Sequence, residues 1–261
     1  MTKKYELTDE VHPINPKQRR IRALKTFSNI RAGDLGGFVE SEKNLSHYDN
    51  AWVYDNARVY GGAQVYVDAQ VHGTAWVCGN ARVFGNAQVC GDAKVFGNAQ
   101  VHDNARVYGN ARVYGDVRVY GDARVYGNAC VYGNAQVYGD AWVEEDAQVY
   151  DNARVYGDAW VCGNAQVYGG ACAYGGARVY GNAHIKKNST VCDKTCISLP
   201  LLGEAVWLLL GACREGAERC TSPTEDDILW ARQQLNKENA NEAELNLEAY
   251  SVAAKIIGVQ L

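Results

Sequence analysis

Several signatures of familiar chemistry are missing from this 261-residue sequence. It has no G-x-x-x-x-G-K-[ST] loop, no G-x-G-x-x-G fingerprint and no G-x-S-x-G elbow. P-loop, dinucleotide-binding and α/β-hydrolase chemistries are therefore set aside. Met1 to Glu10 is polar and charged, so no signal peptide is expected. The most apolar run, Leu199 to Cys213, is too short to span a bilayer. Nine cysteines are an odd number, and Cys192 and Cys196 form a lone C-x-x-x-C with no second pair, which argues against zinc. Reduced thiols in a cytoplasmic protein, without membrane association, are the expectation. A net charge of −4 does not mark a general nucleic-acid binder. Flat ranks of threonine, as on ice-binding β-helices, are absent too.

What the chain does have is a six-residue phrase, repeated from Ala51 to Ile197 without an insertion. Its commonest form is A-R-V-Y-G-N, as at Ala105 to Asn110. From Val53 to Val191 every sixth residue is Val, except Ala173 and Ile185. Ala stands two residues before each, except at Val117, Ser189 and Thr195. Side chains on a strand alternate faces, so the Ala and the Val two residues later point inward together. Arg, Gln, Trp, Tyr, His and Cys point outward. Gly-Asn or Gly-Asp then turns the chain, because these residues accept positive φ. Six residues cannot bury a core alone, so the phrases must coil and stack.

The phrase V-Y-G-N-A-R resembles the hexapeptide repeat of left-handed parallel β-helices. That resemblance implies three phrases per triangular coil and a left-handed winding. The 24 phrases then make about eight coils, a prism about 38 Å long. A right-handed solenoid is the alternative, as the usual crossover rule would have it. Cys90 and Cys162 fall four coils apart in one column, about 19 Å, too far to bond.

Residues 1–50 differ in kind and carry +2 charge, against −1 for 51–198 and −5 for 199–261. Pro13 and Pro16 mark a turn, and Arg19 to Leu24 alternates like a half-buried strand. Gly33 to Ser41 reads as a tight turn entering another strand. The pairing R-I-R-A-L with G-D-L-G-G-F-V-E-S resembles the N-terminal segment of uncharacterised hexapeptide-repeat proteins of prophages and enterobacteria. Its inferred role is a cap over the open backbone edges of the first coil. Lys17, Arg19, Arg20, Arg22 and Lys25 could instead form a phosphate patch, though a solvated strand face is the plainer reading. Residues 199–261 read as helices: a buried Leu199–Cys213, a capping box at Ser222-Pro223-Thr224-Glu225, and an apolar stripe from Leu245 to Ile257.

Candidate sites follow from the columns. A helical C-terminal segment also follows the β-helix in hexapeptide acyltransferases, where a histidine is the general base and the acyl donor lies between subunits. By that resemblance His102 or His72 would be the catalytic alternative. By column, however, His72 neighbours Tyr54 and Cys90, and His102 neighbours Phe84 and Tyr120, so no positioning carboxylate is evident. No loop shapes a pocket, and a histidine replacing Tyr on a surface is the simpler reading. One corner column reads Asp122, Asp140, Asp158, stacked acids that a divalent cation could bridge, with three solvated carboxylates the simpler reading.

Tyrosine is the strongest outward signal. Of 17 tyrosines, 14 follow the inward position. An 18-residue period sorts them into Tyr114, Tyr132, Tyr150 and Tyr168 on one side and Tyr120, Tyr138, Tyr156 and Tyr174 on another. A third side holds Tyr108 and Tyr126 beside Trp142 and Trp160. Such aromatic surfaces suit interfaces. The expected fold is thus an all-β solenoid with an N-terminal β cap over 1–50, a repeat domain over 51–198 and a C-terminal helical segment over 199–261. The expected function is a non-catalytic binding or structural protein of phage type, self-associating (as trimers in the resembled family) and binding an unknown protein partner without a cofactor. A CoA-dependent acyltransferase is the alternative. The slightly acidic repeat disfavours nucleic acid.

Overall fold

The computed structural model describes residues 3–186, 189–192 and 196–199. Three strands, β1 (Tyr5–Val11), β2 (Arg19–Ala23) and β3 (Leu35–Val39), form an antiparallel meander at the N-terminal end. The repeat follows as short parallel strands, beginning with β4 (Trp52–Val53), β5 (Arg58–Val59) and β6 (Gln64–Val65). Each strand pairs with the one 18 residues later, as Arg118 with Gln136. Three parallel stacks result, running through about eight turns: an all-β parallel solenoid. Face I carries β5 and joins the meander through β3; face II carries β4; face III carries β6.

The interior is the Ala and Val series. Every such residue from Ala51 to Ile185 is buried, down to 0% exposed for nearly all of them. Small Ala beside branched Val fills a narrow core that larger chains would burst. At the turns, the residue two beyond each inward Val has positive φ, as at Gly133 (φ 72). A Cβ there would meet the Asp151 nitrogen of the next coil at 2.8 Å, so close stacking also favours glycine. Where Asp55, Asp103 and Glu145 take this place, their carboxylates accept the N–H of Gly73 (2.9 Å), Gly121 (3.2 Å) and Gly163 (2.7 Å) one coil on. Val67, at φ 60, is β-branched and has no such compensation.

Beside several of these turn residues, an Asn amide donates along the axis. Asn80 donates to Asn98 (3.2 Å) and Asn98 to Asp116 (2.8 Å); Asn110 donates to Asn128 (3.1 Å) and Asn128 to Asp146 (3.0 Å). An ionised Asp only accepts, so it ends each ladder.

The cap answers a directional demand. Bonds between coils outside the strand ladders run from an N–H of one coil to a C=O of the next, as Trp52 to Ala69 and Tyr54 to Val71. The first coil is left with carbonyls facing the N-terminal end. Lys4 Nζ donates to Ala51 O (2.7 Å), Arg20 to Asp55 O (3.0 Å), and Asn44 Nδ2 to Gly61 O (2.9 Å) and Ala63 O (2.8 Å). Backbone N–H groups of Phe38, Glu40 and Ser46 serve Ala57, Val59 and Val65. Lys4 and Asn44 are fully buried at these posts. Burial lowers the Lys4 pKa to about 8.

The Gly36-Gly37 pair of the N-terminal motif lets β3 approach: a Cβ would sit 2.5 Å from Val53 O or 2.4 Å from Ala57 O. Arg19 and Arg20 bond carbonyls, and Arg22 bonds Glu6, so three of the five cations of the suggested phosphate patch are engaged within the cap. The expected C-terminal helices lie outside the described residues. Among the described residues, no helix is long and apolar enough to cross a membrane.

Two outcomes test this architecture. Val119→Asp buries an unpaired charge and should cost several kcal/mol, roughly 3 or more, in denaturant unfolding, while Arg118→Asp should cost less than about 1; the reverse order would invert inside and outside. Lys4→Met strips donors from buried carbonyls and should cost about 2 kcal/mol, with amide exchange quickening in residues 3–50 before the middle coils. Unchanged exchange would remove Lys4 from the cap.

Candidate functional site

The outward positions form continuous stacks because like columns meet every 18 residues. On face I the rings of Phe96, Tyr114, Tyr132, Tyr150 and Tyr168 succeed one another at 4.8, 5.2, 4.8 and 4.8 Å, within 4° of parallel. On face III the stack is longer. It runs Tyr66, Phe84, His102, Tyr120, Tyr138, Tyr156, Tyr174 with spacings from 4.7 to 5.1 Å. Both tyrosine ladders read from the sequence are thus assembled. The ladder of tyrosines left out Tyr66, Phe84 and His102, which extend the second stack, although the columns already set His102 between Phe84 and Tyr120.

Face II is different. Tyr108 stacks on Tyr126 at 4.7 Å, Tyr126 meets Trp142 edge-on at 6.2 Å, and Trp142 meets Trp160 edge-on at 6.4 Å. Arg124 lies over the Trp142 ring and Arg178 over Trp160. The Trp160 indole N–H donates to Glu144, whose carboxyl is pushed up by burial. Trp142 remains 37% exposed.

The stacks shield the phenols. Burial, reinforced by the neighbouring Tyr150 and Tyr114, pushes Tyr132 up to about 12. Burial likewise raises Tyr114, Tyr138, Tyr150 and Tyr156. On face I two hydroxyls are already engaged: Tyr132 donates to Gln148 (3.4 Å) and Tyr150 to Gln166 (3.2 Å).

The histidines stand on separate faces. His72 stacks on Tyr54 at 4.0 Å and its Nε2 lies 3.1 Å from Gln70 Oε1; burial lowers its pKa. His102 does have a positioned carboxylate, contrary to the column reading: Asp103 Oδ1 lies 3.2 Å from its Nδ1. The neighbour in sequence, not in the column, supplies it, because positive φ at Asp103 (58°) turns its side chain back. The His102 bond holds the Asp103 carboxyl below its usual range. Asp122, Asp140 and Asp158 keep their corner column, but no group of three or more His, Cys, Asp or Glu gathers to hold a metal among the described residues. Cys78, Cys90, Cys130, Cys172 and Cys192 are free thiols.

The family model described as YdcK Beta solenoid repeat matches residues 51–66, 87–103, 105–121, 117–133, 123–139 and 147–163. A comparison with the curated proteins gives no match. The chain is a β-solenoid repeat protein, similar to that family over those stretches.

Because the folded phenols keep their protons past the ordinary value of 10.0, the folded state binds more protons than the unfolded state above pH 10. The stabilisation is complete below that pH and is lost as pH rises toward about 12. Urea midpoints should fall between pH 10 and pH 11, less so in Tyr132→Phe/Tyr150→Phe. A midpoint that does not fall by pH 11 would contradict this assignment.

Proposed function

We propose that this is a non-catalytic binding or structural protein of phage or prophage type, built on the left-handed triangular β-helix of hexapeptide-repeat proteins. Residues 1–50 serve as its cap, 51–198 as its repeat domain and 199–261 as a further segment. Its working surfaces are the aromatic faces: Tyr114, Tyr132, Tyr150 and Tyr168; Tyr120, Tyr138, Tyr156 and Tyr174; and Trp142 with Trp160. The observation that carries this reading is the unbroken seven-ring stack of face III, set in a scaffold whose repeat has no inserted loop. Stacking uses the ring faces and leaves a row of edges and hydroxyls outward, which suits a protein interface. One face meets another copy, and another is left for a protein partner in the cytoplasm.

A CoA-dependent acyltransferase is the second reading, and the His102–Asp103 contact is its support. An imidazole held by a carboxylate can act as a general base. Phe84 and Tyr120 stack on both faces of that ring, which leaves the in-plane Nε2 as the atom that would take the proton.

Sedimentation of the wild type beside Tyr132→Ser/Tyr150→Ser and Tyr138→Ser/Tyr156→Ser tests the first reading, with capture from a host lysate in parallel. Assembly or capture should fail in at least one variant; a monomeric wild type, or two variants that behave normally, would leave the ladders as internal glue. Calorimetry with acetyl-CoA should show no binding, and micromolar binding lost in His102→Ala would favour the enzyme.

A further inference from the structure

We propose that face III is a self-complementary surface that docks against face III of a second copy, with the two solenoids parallel and in register about a two-fold axis. This rests on the reading of the aromatic faces as interaction surfaces, and names the face, the occupant and the symmetry.

Three columns run along face III. The column before the inward Val reads Gln64, Arg82, Gln100, Arg118, Gln136, Arg154, with the arginines on alternate coils. The column after it is the seven-ring stack. The corner beyond reads Asp68, Asn86, Asn104, Asp122, Asp140, Asp158. Arg82, Arg118 and Arg154 are exposed, and among the described residues none of them enters an ion pair. Asp122, Asp140 and Asp158 are exposed as well. The face therefore has a cationic edge, an aromatic middle and an anionic edge, with the charges unspent inside the chain.

A two-fold axis parallel to the solenoid and running along the aromatic column exchanges the two edges and keeps the height. Each layer then meets its complement: Arg118 with the second copy's Asp122, Arg154 with its Asp158, Gln136 with its Asp140, Arg82 with its Asn86. No layer sets like charges together. The other in-plane axis, which makes the solenoids antiparallel, lays the Arg column on itself. Sheet faces pack about 10 Å apart, a gap that an extended Arg and an Asp span together while the tyrosines interleave. Seven layers about 4.8 Å apart and a width of five residues bury roughly 1,100 Å² in total, enough for a specific contact.

The other faces lack this pattern. Face I pairs only Arg112 with Asp116 by the same operation, and spends two of its hydroxyls on Gln148 and Gln166. Face II gives no such pair, and its Arg124 and Arg178 already cover its own tryptophans.

Charge reversal in sedimentation equilibrium is the test, using the full chain. Wild type should dimerise. Arg118→Glu/Arg154→Glu and Asp122→Arg/Asp158→Arg should each raise the dissociation constant at least about tenfold, the scale of one lost close charge pair. All four changes in one chain should restore association, a rescue that misfolding cannot produce. If wild type associates and neither reversal weakens it, this face is wrong while the broader reading of self-association stands. If reversals weaken association but the fourfold variant stays apart, the parallel register is wrong. A monomeric wild type overturns both this dimer and the self-association proposed above.

Discussion

The hydrogen bonds between successive coils outside the strand ladders point one way, from an earlier N–H to a later C=O, and much else in this protein answers to that polarity. It leaves a first coil rimmed with carbonyls, which no other coil can serve. The chain meets them with donors of three kinds: the ammonium of Lys4, the guanidinium of Arg20 and the amide of Asn44, supplemented by backbone N–H groups. The positive balance of residues 1–50 is thereby explained as backbone chemistry. Each buried carbonyl left without a partner would cost about 1–3 kcal/mol.

The same stacking sets every residue beside its counterpart 18 positions on, so side chains must tolerate their own kind. Aromatic rings do so by stacking, at 4.7–5.2 Å in the two long ladders. Asparagine does so by donating forward. Aspartate does not, which is why it closes amide ladders and why Asp122, Asp140 and Asp158 form an unrelieved acidic edge. Arginine on face III is separated from its like by Gln, one coil in two. Sites in such a protein are columns, and a pair of columns is the smallest surface that can specify a partner.

Much of this was legible in the sequence, because the period of two within a phrase and of 18 between coils are written in residue types. Val119 inside and Tyr120 outside needed only alternation. Two of the meander's three strands were legible from R-I-R-A-L and G-D-L-G-G-F-V-E-S, and β1 (Tyr5–Val11) was not; nor was the reason for the paired glycines, since Gly36 and Gly37 avoid carbonyls of residues 53 and 57, a contact that only the folded junction creates. Lys4 and Asn44 gave no signal either, since their partners are backbone atoms. The His102–Asp103 contact was missed because a column search looks 18 residues away, and positive φ brought the answer from the next residue. Winding direction was expected from the family resemblance alone.

The register of six within 18 is the central claim, and residue-resolved amide exchange reads it most directly. Protection should recur every six residues across the middle coils, strong at Arg118, Tyr120 and Asp122 and, one coil on, at Gln136 and Tyr138. Within the corner positions it should distinguish glycines of identical conformation. Gly121 and Gly163 should exchange slowly, because Asp103 and Glu145 hold their N–H groups, while Gly139 and Gly157 should exchange fast. Protection without a six-residue phase, or Gly139 as slow as Gly121, would contradict the account.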